Sequence, residues 1–107
     1  MGLDAVIYED EKEERRLAHK RLGNVAQIAF LRDFATGALG AQSLVVSKIL
    51  YNGMHAGDWL AVSELRPLAS ELQVLERIVD GDVQTFARDM LELVQSALGH
   101  ERPIHFS

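Results

Sequence analysis

The feature that most constrains the fold is a pair of apolar stripes at helical spacing in the second half of the chain. Each stripe recurs every three or four residues, the period that places side chains on one face of an α-helix. The first stripe is Leu65, Leu68, Leu72, Leu75 and Val79, and the second is Val83, Phe86, Met90, Leu93, Val94 and Ala97. Only Asp80, Gly81 and Asp82 separate them. So short a connection predicts two helices that pack antiparallel as a hairpin.

Polar residues and glycines predict where these two helices begin and end. Ser63 is expected to cap the first helix, so that Pro67 lies within its first turn or just beyond it, where a missing N–H costs least. Asp82 is expected to cap the second helix, because a carboxylate accepts hydrogen bonds from the unpaired N–H groups of the first turn. Gly99 is expected to end it.

The first part of the chain predicts strands. Leu3 to Tyr8 is rich in β-branched and aromatic residues, with alternate residues on two faces, and is typical of a strand. The segment from Arg15 to Leu22 fits either a second strand of a hairpin or a helix, and we favour the strand. Pro103 to Phe106 alternates as a short final strand that is expected to pair with the first one.

Two helices are predicted between these strands. Asn24 and Gln27 have the spacing of a capping box, which predicts a helix from Val25 to about Thr36 that stops at Gly37. The apolar run from Leu44 to Tyr51 fits a short helix or a buried strand, and we take the helix.

Together these elements predict a small α+β domain that occupies residues 1–107. We expect a two- or three-stranded antiparallel sheet from the N- and C-terminal segments, packed against about four helices that include the antiparallel hairpin. A chain of 107 residues can bury one hydrophobic core without disulfides or a structural metal.

Composition and charge exclude several classes of function. The chain has no cysteine, which removes disulfides, thiolate nucleophiles and cysteine metal sites, and fits a cytoplasmic protein. No apolar run approaches the roughly 20 residues of a membrane span, and the first residues lack the pattern of a signal peptide. The net charge of −5 would repel a phosphate backbone, so we expect no nucleic-acid partner and favour a basic protein partner. The charged run at 9–16 fits a solvated connection or an acidic patch for such a partner.

The stretch from Tyr51 to Trp59 concentrates the residues that suit recognition. Two glycines four residues apart predict a sharp turn, with Asn52 and Gly53 able to adopt positive φ. Tyrosine, methionine and tryptophan are residue types that anchor protein interfaces, although they also close cores. The candidate contact residues are Tyr51, Asn52, Met54, His55, Asp58 and Trp59.

His55 and Asp58 admit a second interpretation. Three residues apart beside two glycines, they could be a base with its orienting carboxylate, or two metal ligands. The competing interpretation is structural: Asp58 accepts hydrogen bonds within the turn and His55 is a polar rim residue. Because no nucleophile motif and no third ligand at a recognisable spacing accompany them, we expect no catalytic set, no metal and no cofactor.

Four stretches together resemble a known family. They are Met1 to Tyr8, the Arg21-Leu22-Gly23-Asn24 break, the central run from Ser47 to Asp58, and Pro103 to Phe106. In that order they are similar to the immunity protein 70 family, small bacterial immunity proteins of polymorphic toxin systems. This chain has Met54 and Ala56 where the family more often has threonine and serine, so any hydrogen bonds of those two hydroxyls are missing here.

The resemblance implies an inhibitor, not an enzyme. Such a protein would bind and neutralise a cognate toxin domain by direct contact in the cytoplasm. An acidic inhibitor suits a toxin with a basic cleft. Two alternatives stay open: a small metal-dependent or hydrolytic enzyme that uses His55 and Asp58, and a structural homodimer.

Overall fold

Strands from both halves of the chain build one antiparallel sheet, and helices pack against one of its faces. The computed structural model of the protein describes residues 2–9, 12, 15–51, 58–78 and 80–107. The elements are strand β1 (Gly2–Tyr8), strand β2 (Arg16–Asn24), helix α1 (Val25–Leu39), a π-helical turn (Val45–Ile49), strand β3 (Trp59–Leu60), helix α2 (Val62–Glu76), helix α3 (Gly81–His100) and strand β4 (Ile104–Phe106). The predicted α+β class is confirmed.

The sheet has four strands in the order β2-β1-β4-β3 among the described residues, and each neighbouring pair is antiparallel. β4 pairs with β1 as predicted, with Ala5 opposite Phe106. The prediction of two or three strands was too low because β3 has only two residues. So short a strand shows no alternating pattern, and β3 is defined only by its pairing with β4.

The apolar stripes form the core of the antiparallel hairpin of α2 and α3. Leu65, Leu68, Leu72 and Leu75 are all buried, and so is every predicted residue of the second stripe. Val79 lies outside the described residues. The buried helix residues join the inward residues of the sheet in one hydrophobic cluster. Among the described helices, none combines the length and the apolar character needed to cross a membrane.

Three predicted ends of α2 and α3 were wrong by one or two residues. Ala61, not Ser63, occupies the N-cap position of α2, and its N–H donates to Glu64 Oε1 at 3.1 Å. Asp80, not Asp82, caps α3, because the extended backbone at Asp80 lets its carboxylate accept from two N–H groups of the first turn. α3 continues past Gly99 to His100.

The first helix begins as predicted and ends later. The Asn24 carboxamide oxygen accepts from the Gln27 N–H at 2.9 Å, and the Gln27 side chain accepts from the Asn24 N–H at 2.8 Å. The helix runs through Gly37 to Leu39 and is closed by Gly40, whose φ of 94° is the conformation that favours glycine. The predicted helix at 44–51 is present as a shorter, π-type turn.

Candidate functional site

The sheet has two chemically different faces because strand residues alternate in direction. Leu3, Ala5 and Ile7 of β1 belong to the hydrophobic cluster beneath the helices. Val6, between them in sequence, is 3% exposed but is not part of that cluster. Val6 therefore lies on the opposite face.

Strand pairing shows which residues share that opposite face, here called the outer sheet face. Asp4, Val6 and Tyr8 of β1 lie opposite Arg21, His19 and Arg16 of β2. Val6 also lies opposite His105 of β4, and His105 lies opposite Trp59 of β3. The outer sheet face is thus Asp4, Val6, Tyr8, Arg16, His19, Arg21, Trp59 and His105.

An aromatic row crosses the outer sheet face from β1 to β3. The rings of Tyr8 and His105 meet edge to face, with centroids 5.3 Å apart. Trp59 is directly across from His105 on the edge strand and is 57% exposed. Tyr8 and His105 are only partly exposed. Trp59 is therefore the aromatic residue of this row that a partner can reach most fully.

Charged groups occupy the other side of the same face. His19 Nε2 lies 3.3 Å from Asp4 Oδ1, and Arg21 lies 3.9 Å from the other oxygen of Asp4. Asp4 Oδ1 is shielded from solvent and accepts no hydrogen bond from a described residue, so His19 is at ion-pair distance without hydrogen-bond alignment. Arg16 is exposed. This side of the face is rich in cationic and titratable groups.

The predicted contact residues are placed as follows. Trp59 is exposed, whereas Tyr51 and Asp58 are partly buried. Asp58 anchors the edge strand through its backbone, because its carbonyl oxygen accepts from the Phe106 N–H at 2.9 Å. Asn52, Met54 and His55 lie outside the described residues. The pairing of His55 with Asp58 therefore stays a prediction.

Within the ranges that the structure describes, no three histidine, aspartate or glutamate side chains are placed to hold a metal ion. The expectation of no metal and no cofactor remains a prediction for the whole chain.

Sequence reasoning missed the residue that fixes the segment leading to Tyr51. Glu71, on α2, accepts from the Leu44 N–H at 3.0 Å and from the Val45 N–H at 2.9 Å, one with each carboxylate oxygen. These N–H groups open the π-helical turn, where a carboxylate replaces the missing intrahelical partners. Because the partners are 26 and 27 residues apart, no local spacing in the sequence indicates the contact.

A concave feature lies beside the end of β2. An open groove of about 600 Å³ is bordered by residues 21–24 of β2, by α1 and by α3. Leu22, Leu31 and Phe86 are its buried apolar residues, and Phe30 is 45% exposed. Sequence analysis gave no sign of this groove, because its walls come from three separate elements.

The chain was compared with known protein families, curated proteins and solved structures. No protein-family model, no curated protein and no solved structure matches the chain.

Proposed function

We propose that the protein is an immunity protein that binds and neutralises a cognate bacterial toxin domain by direct contact in the cytoplasm. The contact surface would be centred on Trp59 and include Tyr51 and Asp58, together with the predicted residues Asn52, Met54 and His55. The motif resemblance to the immunity protein 70 family supports this proposal. It implies an inhibitor without catalytic activity of its own.

The single observation that carries the proposal is the exposure of Trp59. Tryptophan buries more apolar area than any other side chain, and an exposed one at an interface is a common source of binding energy. Among the large hydrophobic residues that the structure describes, only Val25 is more exposed than Trp59. Trp59 is 57% exposed, so much of its apolar surface stays in contact with water. A partner that buried this surface would gain binding free energy.

The surroundings of Trp59 suit an anchor that is held in place before binding. The neighbouring residue Leu60 is fully buried, and His105 lies directly opposite Trp59 on β4. The β3 backbone is therefore fixed from one side by the core and from the other by the sheet. Such pre-organisation reduces the entropy lost on binding.

The net charge supports a basic partner at long range, since the cationic side chains of the outer sheet face are on β2, at the opposite edge of the sheet from Trp59. The chain carries 16 acidic and 11 basic side chains, so its overall field attracts a positively charged surface and speeds encounter at low salt. A toxin that cleaves or binds nucleic acid has such a surface. The proposal therefore places the toxin in the class of basic proteins.

The test is co-expression with the C-terminal domain of the protein that the neighbouring gene encodes, scored by host growth and by co-elution on a sizing column. The wild-type chain should rescue growth and co-elute. Trp59→Ala should weaken the complex by about 2 kcal/mol or more, as expected of an interface anchor, while the protein stays folded. The matched control is Val74→Ala, because Val74 is 46% exposed on α2 and lies outside the outer sheet face.

Three outcomes would overturn the proposal in whole or in part. If the domain is toxic and the wild-type chain neither rescues growth nor binds it, the immunity function is wrong. If rescue and binding occur but Trp59→Ala behaves like Val74→Ala, the function stands and the surface assignment is wrong. A dimer whose mass is independent of concentration and which Trp59→Ala disrupts would instead place Trp59 at a homodimer interface.

A further inference from the structure

We propose that the free edge of β2 is a second binding site, which takes an extended polypeptide segment with alternating acidic and apolar residues. The segment would add a fifth strand to the sheet. This site is separate from the Trp59 surface, because β2 and β3 are at opposite edges of the sheet.

The first observation is the length of the open edge. β2 has nine residues and pairs with β1 on one side only, in the part of the chain that the structure describes. An edge strand presents a row of backbone N–H and C=O groups toward an incoming strand. Recognition by strand addition uses these groups for affinity and the side-chain pockets beside them for specificity.

The second observation is the charge of this edge in an otherwise acidic protein. Residues 15–21 carry Arg15, Arg16, Lys20 and Arg21 and no acidic residue. Arg16 and Arg21 share the outer sheet face with His19; Arg21 and His19 already lie near Asp4, so Arg16 is the group with no described carboxylate nearby. Carboxylates on the outer face of an added strand would lie across from these side chains, where opposite charges stabilise strand pairing.

The same charges argue against a second copy of the chain as the occupant. Two β2 strands paired edge to edge would bring the Arg and Lys side chains of one copy next to those of the other. Like charges across a strand pair are destabilising, and charge on an edge is a common protection against self-association. The β2 edge is therefore unsuited to pairing with β2 of a second copy and suited to pairing with an acidic strand.

The third observation is the groove on the helix side of the same edge. Side chains of an added strand that point away from the outer face would enter the open groove of about 600 Å³ beside residues 21–24. Its apolar surface includes Phe30, which is half-exposed and whose ring lies 6.2 Å from that of Phe34. Burial of apolar side chains here would add to the charge interactions on the other face.

Two acidic residues of α3, Asp82 and Asp89, border the groove, and Asp89 already has a cationic neighbour. Lys20 Nζ lies 3.8 Å from Asp89 and 3.2 Å from Glu92. Lys20 points toward the helices, since its strand partner Ala5 belongs to the core side. Apolar side chains therefore fit the groove side of an added strand, and acidic ones fit the outer side.

The experiment uses the full chain and a fluorescein-labelled, N-acetylated peptide of alternating glutamate and valine, with anisotropy as the readout. The wild-type protein should bind this peptide, and Arg16→Glu should lower the affinity at least about fivefold, since an attraction becomes a repulsion. Phe30→Asp should lower it by a similar factor or more through the groove. Arg66→Glu, a charge reversal at an exposed position of α2, should leave binding unchanged.

A backbone control separates strand addition from simple charge attraction. The same peptide with alternate amide nitrogens methylated keeps its carboxylates but loses N–H donors, and its binding should be lost. Equal binding of the methylated peptide would overturn strand addition. So would absence of binding by the unmodified peptide at millimolar concentration, or stronger binding of single-stranded DNA at equal charge. Thermal unfolding of each variant confirms that it is folded.

Discussion

The two edge strands of the sheet differ in length, in charge and in how the chain holds them. β2 is nine residues long and basic, whereas β3 has two residues, one exposed and aromatic and one buried. A long edge exposes many backbone groups and is protected by charge, and a short edge exposes few and can carry an apolar side chain. The two proposed sites differ accordingly: the one at β2 would use backbone groups, and the one at β3 would use the Trp59 side chain.

The contacts that hold the two edge strands also differ in how far apart their partners are in the sequence. β2 leads directly into α1 through the capping box of Asn24 and Gln27, three residues apart. The segment that leads toward β3 is held instead by Glu71, from a helix that follows β3 in the chain. The β2 edge thus has a local support in addition to its tertiary contacts with α3, whereas the segment before β3 is held by a contact between distant residues.

The largest effect is expected at the buried residue of β3. Leu60→Ala should lower the free energy of unfolding by about 2–5 kcal/mol, because it removes a fully buried side chain and leaves a cavity. Leu17→Ala on β2 is the matched control, since Leu17 is 38% exposed, and should cost less than about 1 kcal/mol. Urea unfolding of both variants measures the difference. Equal losses would mean that the two edges are supported alike.

A smaller loss is expected at Glu71. Glu71→Ala should cost about 1–3 kcal/mol, because two part-buried N–H groups lose their carboxylate partner. Glu76→Ala, on the same helix, should cost clearly less. Hydrogen exchange at Leu44 and Val45 gives a second readout, with faster exchange expected in the Glu71 variant only. Unchanged exchange at these two amides would show that Glu71 does not hold the segment.

A third effect is expected at the local cap beside β2. Asn24→Ala should cost about 1 kcal/mol, the usual value for loss of an N-cap side chain. Asn24→Asp should retain most of that stability, because the carboxylate also accepts from the Gln27 N–H. Chemical denaturation of the two variants measures the free energy of unfolding that each one loses. If the aspartate variant were as unstable as the alanine variant, the cap would not be the source.

The smallest effect is expected for the Lys20 ion pairs. Lys20→Ala should change the free energy of unfolding by less than about 1 kcal/mol, because these partly exposed pairs are screened by solvent. The loss should shrink further in 1 M salt. A loss that exceeds that of Asn24→Ala and is independent of salt would show that Lys20 acts through packing.

Some of these contacts could be predicted from the sequence and others could not. The capping box at Asn24 and Gln27 was predictable because its two members are one helical turn apart. The apolar stripes were predictable because burial against one face repeats along each helix. The contact of Glu71 with Leu44 was not, since it depends on how distant segments meet.

The candidate site was predictable only in part. Sequence composition singled out Trp59, but its exposure depends on β3 pairing with β4, a contact between distant segments. The outer sheet face could not be assembled from sequence either, because its residues come from four strands. Asp82 was predicted as the cap of α3, but both aspartates flank Gly81, and only the extended backbone at Asp80 shows which of them caps the helix.

The position of β4 between β1 and β3 sets the order in which the sheet can form during synthesis. β1 and β2 are close in sequence and can pair as a hairpin as soon as they leave the ribosome. β3 cannot join them, because its neighbour β4 is made only after α2 and α3. Until then one side of β1 stays unpaired, and Trp59 and Leu60 have no strand to pair with. The surface proposed to bind a toxin is therefore one of the last parts of the fold to be completed.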